Sequence, residues 1–294
     1  MIKETPETDR IVGKILNIKI NSTSEGRVLA FVRDSLARNH KFWISTPNPE
    51  IILKAQNDFD YLKILNSADM ALPDGVGVIQ GLKFLSLSNP KNKILKMIIL
   101  PVQGLMVGLS TFFAKDWLFK DFRLMKGRKM FLSLIALANK KGWRVFLFGG
   151  EGGEAEKTAE KLIKNFKRVK IHFAQGAIYN NQAYPVTEDD IKIHNDTVKQ
   201  INEFKPHFLF VALGAPKQEK WLFNNFGKLK IGGAMVVGGT LNYLADKSKL
   251  PPKWIERSGF EWFWRLTYEP KRFGRILNAL IVFPLKVFTF KFNQ

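Results

Sequence analysis

The run Trp143-Arg144-Val145-Phe146-Leu147-Phe148 passes directly into Gly149-Gly150-Glu151-Gly152-Gly153, and then into a stretch with helical patterning from about 154 to 166. A near-continuous apolar strand is what a sheet covered on both faces requires, and parallel sheets are the usual case. A glycine turn between strand and helix leaves backbone amides unpaired where the helix dipole favours an anion. The arrangement recurs twice. Phe208 to Leu213 runs through Gly214-Ala215-Pro216 into Lys217-Gln218-Glu219-Lys220-Trp221, and Ala234 to Val237 ends in Gly238-Gly239-Thr240. Three strands that end in turns at their carboxyl ends restrict the chain to an open α/β sheet, which binds ligands along that edge. The expected fold is α/β: a Rossmann-like parallel sheet with flanking helices over residues 1–245, plus a C-terminal helical, membrane-associating appendage over 246–294.

Gly150, Gly152 and Ala155 also fit the dinucleotide spacing G-x-G-x-x-G/A. A nicotinamide site would need a carboxylate at the end of the next strand to hold the ribose. That strand, Val169 to Phe173, ends instead in Ala174-Gln175-Gly176. The turn is therefore read as facing a phosphate, and no cofactor is expected.

Upstream, residues 11–20 alternate as a first strand and residues 24–38 carry a helical stripe. The strand Lys41 to Ser45 runs into Thr46-Pro47-Asn48-Pro49-Glu50, which two prolines hold extended before a single helix over about 50–65. Asp58 and Asp60 sit mid-helix in that reading, roughly 200° apart around the axis, and cannot converge on one metal ion. Farther on, a helical segment gives way to the turn Pro73-Asp74-Gly75. Proline presets one φ and glycine permits a positive one. A carboxylate is thereby fixed at the rim of an element, where a general base belongs. Helices are expected over Lys129 to Lys140 and over about 187–203, the latter capped near Thr187 with Glu188, Asp189 and Asp190 in its first turn.

Composition limits the chemistry. There is no cysteine, so thiolate nucleophiles and thiolate metal sites are excluded, and the four histidines are scattered without ligand spacing. The N-terminus, with Glu4, Glu7 and Asp9, carries no signal-peptide pattern. A net charge of +20 calls for a polyanionic partner: nucleic acid, an anionic membrane face or phosphorylated substrates. The run Ile94 to Phe113 holds 20 residues with Lys96 as its only charge, within an apolar insertion at about 84–122. It is long enough to cross a bilayer. Pro101, Gly104 and Gly108 interrupt it and lysines flank both ends, which reads as a re-entrant or interfacial hairpin on the same surface as the C-terminal run Ile276 to Phe290.

Taken in order, several stretches resemble the WecG/TagA/CpsF family of bacterial glycosyltransferases. They are Thr46-Pro47-Asn48, Ala68 to Gly77, Val145 to Gly153, Gly214 to Glu219, Pro252-Lys253-Trp254, Gly259 to Trp262, Arg265 and Glu269-Pro270-Lys271-Arg272. The resemblance implies transfer of N-acetylmannosamine, its uronic acid or a related hexose from a UDP-sugar to a sugar on a polyprenyl diphosphate. The setting would be the cytoplasmic face of the membrane, for cell-surface polysaccharides such as teichoic acid, with inversion and without an essential metal. The same resemblance makes Asp74 the general base and Arg265, Arg272 and Arg275 the groups that stabilise departing UDP. It places Thr46, Asn48, Gly150, Gly152, Gly214, Gln218 and Glu219 on the substrates. The sequence departs from the family pattern at Gly127-Arg128-Lys129-Met130, where Gly-x-Asp-Leu is common, and at Asn242 and Leu250, where Asp and Arg are common. Those departures bear on donor choice. The partners expected are the UDP-sugar, the lipid-linked acceptor and an anionic membrane surface, with no nucleic acid and with homo-oligomerisation left open. The alternative is a basic membrane- or nucleic-acid-binding protein with an inactive Rossmann core, its Trp262-Phe263-Trp264-Arg265 serving as the stacking element.

Overall fold

The computed structural model describes residues 13–150, 152–246, 251, 252, 255, 261–268, 270 and 273–294. The first expected strand is a hairpin, β1 (Gly13–Ile15) and β2 (Ile18–Ile20), because Leu16 and Asn17 take positive φ and turn the chain between them. Then follow α1 (Glu25–Ala37), β3 (Phe42–Ser45), α2 (Pro49–Gln56), α3 (Phe59–Asn66), β4 (Met70–Ala71) and α4 (Val76–Ser86). The single helix expected over 50–65 is thus two helices. Asp58 ends the first run by capping the second, its Oδ1 accepting the Tyr61 N–H at 2.9 Å. The segment before the Asp74 turn is likewise a short edge strand, β4, rather than a helix.

The apolar insertion forms α5 (Lys93–Phe113) and α6 (Lys115–Phe119). No hairpin forms within it: α5 is one helix that passes through Pro101. An internal proline costs about 3 kcal/mol, and a packed seam along the whole of α5 (Lys96, Leu100, Gln103, Val107, Ser110) opposes that cost. The chain continues as α7 (Gly127–Lys141), β5 (Arg144–Gly149), α8 (Glu154–Asn165), β6 (Lys170–Ala174), α9 (Glu188–Phe204), β7 (Phe208–Ala212), α10 (Lys217–Asn225), β8 (Gly233–Val236) and α11 (Thr240–Ala245). The helix expected near Thr187 begins there with a complete capping box between Thr187 and Asp190. At the C-terminus come α12 (Glu261–Tyr268), α13 (Phe273–Leu277), a π-helical turn (Asn278–Val282) and α14 (Phe283–Phe292).

Six strands form one parallel sheet in the order β4-β3-β8-β7-β5-β6. Alternation along each strand divides its side chains between two cores. Val145, Leu147, Phe208, Phe210 and Met235 pack with α1, α7, α8 and α11. Phe146, Phe148, Leu209, Val211 and Ala234 pack on the other face with Trp221 and Leu222 of α10 and Ile201 of α9. A third cluster joins the β1–β2 hairpin to α2, α4, α5, α6 and α14. The α/β reading of the sequence holds, and the C-terminal apolar helices lie on this third cluster.

Candidate active site

Each strand of the sheet sends its carboxyl end into one cavity of about 850 Å³. β3 supplies Thr46 and Asn48, β4 supplies Asp74, and β5 leads to Gly150 and Gly152. Gln175 to Tyr179 follow β6, Gly214 to Gln218 follow β7, and Gly238 to Tyr243 follow β8. Six separate segments therefore converge on the edge where an open parallel sheet binds its ligand.

Asp74 is held from two sides. Its N–H donates to the Pro47 carbonyl at 3.0 Å, and the Pro73 carbonyl accepts from Met125 N–H at 3.0 Å. The turn leaves through Gly75 at φ +98°, where a side chain would strain the backbone. Asp74 Oδ1 accepts the Gly127 N–H at 3.4 Å, at the first residue of α7. A methyl built on Gly127 would lie 3.6 Å from Asp74 Oδ2 and 3.8 Å from Thr46 Oγ1, so both side chains border the same point beside the helix N-terminus. Asn48 has a structural task as well: its Oδ1 caps α2 by accepting Ile51 N–H at 2.9 Å.

At the centre of the floor, Gln218 Oε1 accepts Gly238 N–H at 2.9 Å and its Nε2 donates to Glu219 Oε1 at 2.9 Å. Gln218 thus ties the β8 turn to α10. Glu219 does not line the cavity but stands behind it, completely buried. Burial pushes its carboxyl above the ordinary range, and burial and Glu219 together push the Tyr61 phenol up. Glu219 Oε2 and Tyr61 Oη are both enclosed, and the two side chains interact behind the floor.

Arg275 enters the cavity from α13, with Nη2 2.6 Å and Nε 2.7 Å from Glu50 Oε2. Lys54 completes the bracket, its Nζ 3.0 Å from Glu50 Oε1 and 3.0 Å from the Ala215 carbonyl. Burial raises the Glu50 carboxyl, but the bonds from Arg275 and Lys54 outweigh it and hold Glu50 below its usual value. Arg265 belongs to α12, with its side chain outside the described residues, and Arg272 is also outside them.

The glycine turn after β5 is built as the sequence required. Gly149 has φ +100°, and a Cβ there would meet the Ala212 carbonyl oxygen at 2.7 Å. Its occupant was not foreseen. Glu154, in the first turn of α8, points Oε2 back beside Gly150, enclosed and without a hydrogen-bond partner. Sequence reasoning also passed over Glu50, Lys126, Arg128 and Lys217, which line the cavity with Arg275. Their one signal was position, since each lies within a few residues of a strand's carboxyl end or a helix start. Asp58 and Asp60 are elsewhere: Asp58 Oδ2 pairs with Lys220 at 2.7 Å and Asp60 with Lys63 at 3.6 Å. Among the described residues, no three His, Asp or Glu side chains converge as a metal site would need.

The model of the WecG/TagA/CpsF glycosyl transferase family matches residues 13–100 and 105–294. The chain belongs to that family. Like its relatives it is a glycosyltransferase. It is 28% identical over 236 residues to the N-acetylglucosaminyldiphosphoundecaprenol N-acetyl-beta-D-mannosaminyltransferase of Bacillus subtilis (strain 168), covering 80% of this chain and 75% of that protein. The enzyme of the same name from Bacillus spizizenii is 27% identical over 243 residues, covering 83% and 77%. That from Staphylococcus aureus (strain NCTC 8325 / PS 47) is 23% identical over 288 residues, covering 97% and 95%. The family match thus reaches through the C-terminal helices and breaks at residues 101–104, within the insertion.

Proposed function

We propose that this glycosyltransferase moves an N-acetylmannosaminyl group, or a closely related hexose or uronic acid, from a UDP donor to a sugar carried on a polyprenyl diphosphate. It works at the cytoplasmic membrane face as a peripheral or monotopic enzyme of cell-surface polysaccharide synthesis. The observation that carries the reading is that Asp74, at the β3–β4 side, shares one cavity with the glycine turns after β5, β7 and β8 and with Arg275. The names of the relatives supply the sugars.

In the proposed reaction the acceptor hydroxyl lies against Asp74 and Thr46. Asp74 takes its proton as the oxygen attacks the anomeric carbon. The new glycosidic C–O bond forms as the bond to the diphosphate oxygen breaks, with inversion, and the electron pair leaves with UDP. Arg275 and Lys217 balance the charge developing on the diphosphate, the role that a metal plays in other transferases. Arg265 and Arg272 are assigned to the same task by family likeness. The turns Gly150–Gly152 and Gly214, whose backbone lines the cavity, take the donor's ribose and diphosphate between them. Gln218 and Glu219 keep the floor in shape.

The test is UDP release with UDP-N-acetylmannosamine and N-acetylglucosaminyl-diphosphoundecaprenol, with and without EDTA, against a panel of other UDP-sugars. Acceptor-dependent release that resists EDTA and gives an inverted linkage by NMR is expected. Release with no tested donor, or a retained anomeric configuration, would overturn the proposal.

A further inference from the structure

Helix α5 is built inside out. Its seam toward the protein carries Lys96, Gln103 and Ser110 beside Leu100 and Val107. Its outer side carries Ile94, Leu95, Met97, Ile98, Val102, Leu105, Met106, Leu109, Phe112 and Phe113, all exposed. A helix on the surface of a water-soluble domain shows the reverse pattern. The inward polar groups are all engaged. Lys96 Nζ donates to the Phe292 carbonyl at 2.9 Å, Gln103 Nε2 to the Ser88 carbonyl at 3.0 Å, and Ser110 Oγ to the Val107 carbonyl at 2.7 Å. Lys291 of α14 reaches the same seam, donating to Gln103 Oε1 at 2.9 Å and to the Phe84 carbonyl at 2.5 Å. Polar groups paired inside and apolar groups turned outward match an outer medium that offers no hydrogen bonds. The face continues on the C-terminal helices through Leu277, Leu280, Ile281, Val282 and Leu285.

We propose that the outer face of α5, extended by this C-terminal patch, lies in the interface of an anionic lipid bilayer, with the helix axis along the membrane plane. Orientation follows from packing. The seam runs the whole length of α5 against α4, α6 and α14, and α4 packs in turn on β1. A helix tied along one side to the body of the protein cannot stand across the bilayer without carrying that body in with it. At 1.5 Å per residue it covers about 31 Å of surface. Charge chooses lipid over a second copy of the chain. Exposed Lys91 precedes the helix, Lys93 opens it, Lys115 and Lys120 follow it, and Lys286 stands on α14. Two such faces meeting would bring lysines against lysines on chains of net charge +20, whereas anionic headgroups neutralise them. The proposal gives the membrane contact of the proposed function a specific surface, and it rests on that reading only for the choice of leaflet.

The chain has no cysteine, so a single one can be placed and labelled anywhere. Leu105→Cys, carrying an environment-sensitive fluorophore, is mixed with vesicles of phosphatidylcholine and phosphatidylglycerol. Its emission should shift to the blue and be quenched by lipids with nitroxide on the acyl chain, while the same label at Lys199→Cys on α9 stays in water. In sedimentation with those vesicles, Val102→Glu/Leu105→Glu should weaken partitioning by about tenfold or more. A label at position 105 that stays in water on vesicle-bound protein would overturn the proposal. So would a double variant that binds vesicles as wild type does, or one whose only effect is to split a dimer. Vesicle entry without sugar transfer would leave this proposal standing and remove only the proposed function.

Discussion

Replacing Asp74 by Asn separates the carboxylate's chemistry from its structural part. The amide keeps an oxygen at Oδ1, so the 3.4 Å bond from Gly127 N–H can persist, as can the turn's bond from its own N–H to Pro47. A bond that long is worth no more than about 1 kcal/mol, which in a protein of this size moves the melting temperature by about 2–4 °C. Basicity is lost completely. Removing a general base typically lowers the rate by about 10²–10⁴, or about 2.7–5.4 kcal/mol in the barrier. Single-turnover transfer with saturating donor and acceptor, paired with thermal unfolding, measures both quantities. KM for the donor should change little, since Asp74 is placed against the acceptor. A stable Asp74→Asn enzyme that retains more than about a third of wild-type kcat would refute the assignment and leave Asp74 as a turn residue.

Arg275→Ala should lower kcat by about 10²–10³ if the guanidinium stabilises departing UDP, while Lys54 still pairs with the Glu50 carboxyl and the fold should persist; a stable variant of undiminished kcat removes Arg275 from the mechanism. Glu219→Gln keeps an acceptor for Gln218 Nε2 and has no proton to lose. The folded-state pKa of Glu219 is raised, so its contribution is present at low pH and is lost as pH rises from about 4.5 through the folded value; unfolding curves of the Gln variant should lack that decline, and equal pH slopes would contradict it. Burial lowers Lys291 to about 8 from 10.5, so the unfolded chain holds the extra proton between those values and wild-type stability should rise with pH across that window. Lys291→Met should lose the rise, and the same slope in both proteins would show that the ammonium is solvated.

The sheet was legible because its signal is local. The β5, β7 and β8 segments are short apolar runs that end in glycine, and their period of two divides cleanly between the two cores. The Asp74 turn was legible for the same reason, as Pro-Asp-Gly carries its geometry in three residues. What could not be read was decided by distant contacts. β4 is only Met70–Ala71, a strand because Ile44 and Ser45 pair with it. Pro101 argued for a broken helix, and only the seam formed with Lys291 and Phe292, far along the chain, makes α5 continuous. The bracket of Arg275, Glu50, Lys54 and Ala215 spans 225 positions between its two charged ends and leaves no motif. Glu154 has no sequence signal beyond its place at a helix start, and its enclosed oxygen beside Gly150 is a fact of packing.

Those long-range contacts also explain why the C-terminal segment is more than an attachment. Arg275 reaches the cavity from α13, two residues before the exposed apolar patch begins at Leu277. The same continuous helix, Phe273–Phe292, is seated on the body farther along by Phe283, Val287 and Lys291, all buried. Lys291 ties it to α4 and α5 at once. One rigid element therefore holds a cation in the cavity and an apolar face outside it. The proposed membrane-facing patch and the cavity's Arg275 thus stand on a single helix, seated on the body by Lys291.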